Sequence, residues 1–121
     1  MYTKEDLSNF INARDKFDET CEHVCKKLSK LDKILYTEYG DCDNFKLSSD
    51  NETVYCDGYT YIRNERCECY AHFPAVLLTA TDEQIDRYIE MMIAEKNLDH
   101  AKYVKMFDEL KKELGDFEDD Y

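Results

Sequence analysis

Tryptophan is absent from this 121-residue chain, proline occurs once and glycine three times. The glycines Gly40, Gly58 and Gly115 stand far apart, which excludes a glycine-rich phosphate loop. No stretch is rich enough in Pro, Gly or Ser to act as a linker, and no internal repeat occurs. Residues 1–121 therefore read as one domain with one modest core. Long apolar runs are missing too. The longest, Phe73 to Leu78, is far too short to span a bilayer, and Met1 to Phe10 lacks the apolar centre of a signal peptide. These absences predict no membrane partner and a cytoplasmic location.

Positive charge is scarce. Sixteen Lys and Arg face 28 Asp and Glu, a net charge of −12. A surface of that sign repels a phosphate backbone, so direct binding to nucleic acid is excluded and a protein partner with a basic surface is expected. The imbalance grows along the chain. Residues 1–40 hold seven basic and eight acidic side chains, residues 41–80 three and seven, and residues 81–121 six and thirteen. The acids Asp116, Glu118, Asp119 and Asp120 close the sequence as a solubilising tail or a further acidic patch.

Hydrophobic periodicity predicts an α+β fold: a long N-terminal helix, a three-stranded antiparallel sheet and a C-terminal antiparallel helix pair. Thr3 caps the first helix. Leu7, Phe10, Ile11, Phe17, Cys21, Val24, Cys25, Leu28, Leu31 and Leu35 form one apolar stripe at helical spacing, and Gly40 is the expected stop. Ser48 to Asn51 is a turn cluster, Asp57-Gly58 a second turn or a bulge, and Asn64-Glu65 the hairpin closure. On the last strand Cys67, Cys69, Ala71 and Phe73 share one face, and Glu68, Tyr70 and His72 the other. Thr81 caps the second helix, which buries Ile85, Tyr88, Ile89, Met92 and Ile93. The third helix buries Ala101, Val104, Phe107, Leu110 and Leu114 and stops at Gly115.

Two chemical signals stand out. Six cysteines in a chain without a secretory signal are free thiols or metal ligands more readily than disulfides. Cys21 and Cys25 share a helix face; Cys67 and Cys69 share a strand face. Together they form a candidate zinc site with four thiolates, a structural one because no coordination position is left open. The alternative is packing, since a thiol fills a core position as Ala or Val would. Cys42 and Cys56 are the reserve ligands. The second signal is the run Asp82, Asp86 and Glu90, one acidic face of a helix that is either merely solvated or meets a basic partner. Tyr55, Tyr59, Tyr61 and Tyr70 are too many rings for so small an interior, so some should lie outside. No nucleophile elbow or paired carboxylate cleft is visible, which predicts that the chain is not an enzyme.

The stretch from Tyr59 to Glu90 has a recognisable order. An aromatic hairpin leads into Phe73-Pro74-Ala75-Val76-Leu77-Leu78, and Thr81-Asp82-Glu83-Gln84 then opens a helix. This resembles small acidic proteins encoded by phages and prophages, some of which are anti-CRISPR inhibitors. The resemblance covers about a quarter of the chain and carries over no catalytic residue. It implies action in a host cytoplasm and an RNA-guided CRISPR nuclease as partner, blocked from loading nucleic acid. The competing expectation is a zinc-stabilised structural or adaptor domain without inhibitory role.

Overall fold

The computed structural model describes residues 1–117. Of the C-terminal acids, Glu118, Asp119 and Asp120 lie outside the described residues. Helix α1 spans Lys4–Leu28, followed by a 3-10 turn at Ser29–Leu31 and the one-turn helix α2 at Asp32–Leu35. Thr3 starts α1 with a reciprocal cap: its hydroxyl accepts from the Asp6 amide at 3.1 Å, and Asp6 accepts from the Thr3 amide at 2.9 Å. The helical run ends earlier than expected. Tyr36, in the left-handed region at φ 57°, turns the chain after Leu35. Gly40 is not the stop; it lies in a 3-10 turn at Tyr39–Asp41. Asp32 makes this corner. Its carboxylate accepts from the Thr37 hydroxyl at 2.7 Å, the Tyr39 amide at 3.0 Å and the Gly40 amide at 2.9 Å.

Strands β1 (Cys42–Leu47), β2 (Thr53–Ile62) and β3 (Glu65–Pro74) form an antiparallel sheet in the order β1-β2-β3. The β2–β3 hairpin turns at Arg63-Asn64, one residue before the expected pair. Both residues have positive φ, 52° and 67°, which matches the right-handed twist of the strands. Asp57-Gly58 is not a turn. β2 runs straight through it, and the irregularity lies opposite, where β1 shifts register between Cys42 and Asn44.

After β3, a 3-10 turn at Ala75–Thr79 leads to α3 (Asp82–Lys96) and α4 (His100–Leu114). Thr81 and Gln84 form a second reciprocal cap. The two helices are antiparallel: Arg87 near the start of α3 grips Glu113 near the end of α4 through two bonds of 2.5 and 2.6 Å. The core joins Cys21, Val24 and Leu28 of α1 to Val54 and Phe73 of the sheet, Leu77, and Ile85, Tyr88 and Met92 of α3. The inward face of α4 keeps Phe107, Leu110 and Leu114 of the expected set but is turned toward Tyr103 and Met106. Ala101 and Val104 are exposed, while Tyr103, Met106, Phe107, Leu110 and Leu114 pack inward. The helix is rotated so that Phe107 stacks on Tyr103 at 5.7 Å and meets Phe117 at 5.1 Å, which buries more aromatic surface than Val104 offers.

The Arg87–Glu113 clasp makes stability depend on acid. The guanidinium holds the Glu113 carboxyl at about 2, below its ordinary 4.5. A carboxyl whose pKa falls on folding stabilises the fold above its unfolded value and loses that contribution as pH falls through the folded one. The melting temperature should therefore drop between about pH 4.5 and pH 2. In Arg87→Gln that step should flatten, as thermal denaturation across this range would show.

Candidate functional site

The sheet has two unlike faces. Its inner face carries Val54, Cys56, Cys69 and Phe73 into the core. Its outer face is open. There Tyr55, Tyr59, Tyr61 and Tyr70 are 55, 48, 71 and 63% exposed. The alternation of β2 places its three tyrosines in a row, and the register sets β3 partners beside them: Tyr55 opposite His72, Asp57 opposite Tyr70, Tyr59 opposite Glu68 and Tyr61 opposite Arg66. The rings are held by their neighbours. The Arg66 guanidinium lies 3.7 Å from the centre of the Tyr59 ring, a stacked cation on an aromatic face. The Tyr70 hydroxyl donates to the Glu68 carboxylate, which raises the tyrosine pKa above its usual value. His72 leans on Tyr55, ring centres 6.4 Å apart. Asn44 of β1 donates to Asp57 at 3.1 Å. Between Tyr59, Glu68, Tyr70 and Asp57 lies a shallow hollow of about 250 Å³. The surface is flat and aromatic, with carboxylates at Asp57 and Glu68. Such a composition supplies contact area from side chains of few torsions, at low entropic cost.

The acidic run of α3 sits elsewhere. Asp82 meets His23 Nε2 at 2.6 Å, and Asp86 meets Lys27 at 2.9 Å. His23 and Lys27 stand four apart on α1, so two rungs of the run lie against two rungs of the neighbouring helix. The His23 contact holds the Asp82 carboxyl below its usual range. Glu90 is exposed. Two of the three expected partner-binding acids thus stitch α3 to α1. Composition alone hid this, because His23 and Lys27 lie 59 residues upstream of their respective partners.

The cysteines also meet different neighbours from those expected. Cys25 faces Cys56 of β2, sulfur to sulfur 3.7 Å. Cys42 donates to the Glu38 carbonyl at 3.3 Å, and its own pKa is lowered by the Cys56 thiol. Cys67 and Cys69 donate to the carbonyls of Glu65 and Cys67 on their own strand. The reason is topological: α1 packs over β1, and β3 is the far strand of the sheet. The structure does not bring Cys21 and Cys25 together with Cys67 and Cys69. Among the described residues no group of three or more His, Cys, Asp or Glu side chains could hold a metal ion. Burial pushes the Cys21 thiol up to about 12, and Cys56 is raised by its thiol neighbours and by burial, so both stay protonated at neutral pH. A cavity of about 580 Å³ beside Cys25 and Cys42 is lined by Glu19, Glu22, His23 and Tyr39.

No helix among the described residues is long and apolar enough to cross a membrane. No family model, curated protein or solved structure matches this chain.

Proposed function

We propose that this chain is a non-catalytic binding protein of the phage inhibitor type, and that the tyrosine face of its sheet is the contact surface. The observation that carries the reading is the group of four exposed tyrosines, three on β2 and one on β3, with Asp57 and Glu68 set among them. Aromatic rings of this kind are the usual anchors of protein interfaces. A net charge of −12 draws a basic partner in by long-range attraction, and the carboxylates fix its register once it has docked. The partner class is a nucleic-acid enzyme, whose basic channel such a surface occupies in place of phosphates. The phage resemblance of residues 59–90 names the RNA-guided CRISPR nuclease as the first target to assay. Asp82, Asp86 and Glu90 contribute to the attracting field, while Asp82 and Asp86 are also held by α1.

The experiment titrates the purified chain into a panel of reconstituted RNA-guided nucleases and reads target cleavage. Inhibition of at least one member is expected. Tyr59→Ala and Tyr61→Ala should each weaken that inhibition by roughly tenfold or more, the loss typical of an interface anchor. The melting temperature should hold, because both rings are exposed. Inhibition that survives both substitutions unchanged would remove the sheet face from the interface. Full activity across the panel would remove the nuclease as target.

A further inference from the structure

The apolar stripe of α1 outruns the body it packs on. Cys21, Val24, Cys25 and Leu28 are buried, and at helical period the same side of the helix continues through Phe17, Arg14, Phe10 and Leu7. Phe17 is half-buried. Beyond it the stripe meets solvent: Leu7, Phe10 and Ile11 are 51, 63 and 45% exposed. A helix segment of roughly 20 Å therefore projects with its apolar side uncovered. That side carries its own statement about what covers it. In heptad terms Leu7 and Arg14 occupy the first core position, Phe10 and Phe17 the second, and Lys4, Ile11 and Asp18 one flank.

We propose that this face is a self-association surface, on which the α1 helices of two copies of the chain pack antiparallel. Three features of the sequence on this helix favour that occupant and that direction. In an antiparallel pair centred on Ile11, Lys4 faces Asp18 of the second copy, Asp18 faces its Lys4, and the two Ile11 side chains meet on the twofold axis. Leu7 packs on the second copy's Phe17. Arg14 lies over the second copy's Phe10 ring, a cation on an aromatic face. A parallel pair would instead set Arg14 against Arg14 in the core layer, where like charges destabilise the pair. The third feature is the charge of the segment. The whole chain carries −12, yet residues 4–18, the segment that would pair, hold three basic and four acidic side chains. Two copies approach there with little mutual repulsion. A surface of this size is small against a stable dimer interface, so the association belongs in the micromolar range.

Sedimentation equilibrium of the full chain tests this. The expected result is a concentration-dependent shift from the 14.4 kDa monomer toward twice that mass. Phe10→Asp should weaken association by about tenfold or more, with unchanged circular dichroism and melting, because the ring is exposed in the monomer. Lys4→Glu and Asp18→Lys should each weaken it by roughly two- to tenfold, two exposed ion pairs being lost per dimer. The double variant Lys4→Glu/Asp18→Lys should recover wild-type affinity, since the swap restores both pairs only in the antiparallel register. A chain that stays monomeric at high micromolar concentration overturns the proposal. So does a dimer indifferent to Phe10→Asp, or single charge variants whose combination brings no recovery. None of these outcomes bears on nuclease inhibition, which rests on the opposite end of the molecule's chemistry, the sheet.

Discussion

Replacing Gly58 by alanine is expected to remove about 3 kcal/mol or more of folding stability, the upper end of what overpacking costs. The reason is a backbone contact, not a turn. The 3-10 segment Tyr39–Asp41 crosses β2 at Gly58, and a β-carbon there would sit 1.9 Å from the Asp41 carbonyl oxygen and 3.0 Å from the Cys42 Cα. Backbone cannot swing aside as a side-chain tip can. The crossing segment must lift, and with it go several contacts. Tyr39 loses its bond to the His72 carbonyl, Glu38 its bond to the Tyr70 amide, and Cys42 its place beside Cys56. Urea unfolding followed by circular dichroism would read the loss as a lower midpoint. Gly115→Ala is the control. It sits at φ 93° and ψ 173° with open space around it, a region nearly closed to residues with a β-carbon, so only backbone strain is added, about 1–3 kcal/mol. A loss at Gly58 under about 1 kcal/mol would mean that the crossing yields easily.

Phe73→Ala should cost about 3–5 kcal/mol, the cavity cost of a fully buried aromatic ring. Phe73 is wholly inaccessible and pairs across the sheet with Val54, itself fully buried. It is also the last inward side chain before Pro74 turns the chain into the Ala75–Thr79 segment, whose Ala75 amide is tied to the Glu52 carbonyl at 2.8 Å. That tie keeps the surrounding backbone from collapsing into the void. Phe73→Leu keeps most of the volume and should cost under about 1.5 kcal/mol. The same unfolding experiment gives both numbers. A small loss for alanine would show that the sheet and the 3-10 turn relax together.

What could be read from the sequence was local. The caps at Thr3 and Thr81 could be read as single residues opening each helix, while their reciprocal partners three residues on, Asp6 and Gln84, emerge from the structure. The alternation of β3 placed Glu68, Tyr70 and His72 opposite the cysteines, and the count of tyrosines foretold an aromatic outer face. What stayed hidden depended on which elements meet. Periodicity put Leu7 and Phe10 on the same stripe as Leu28, but only the length of the body decides where cover ends. The end of the first helical run was misplaced because Asp32 reaches forward from α2 to Thr37, Tyr39 and Gly40, a side-chain corner that gives no periodic signal. That Cys25 lies beside Cys56 of β2 could not be read in advance, because spacing tells which thiols share a face, not which strand lies beneath a helix. Asp82 and Asp86 looked free because their partners, His23 and Lys27, are far away in the chain.

The bonds from Glu38 and Tyr39 to β3 have a consequence for the life of the chain before it is folded. β3 is an outer strand that carries Cys67, Cys69, Tyr70 and Phe73, and an unsealed outer strand is a template on which other extended chains add and fibrils grow. Glu38 takes the outward amide of Tyr70, and Tyr39 takes the outward carbonyl of His72, so the template is blocked at its centre. The seal comes from residues about thirty positions earlier. A ribosome delivers Glu38 and Tyr39 before it delivers β3, so the hairpin closes with its guard already at hand. Had the same two side chains followed the sheet in sequence, each nascent copy would spend part of its synthesis with an open edge.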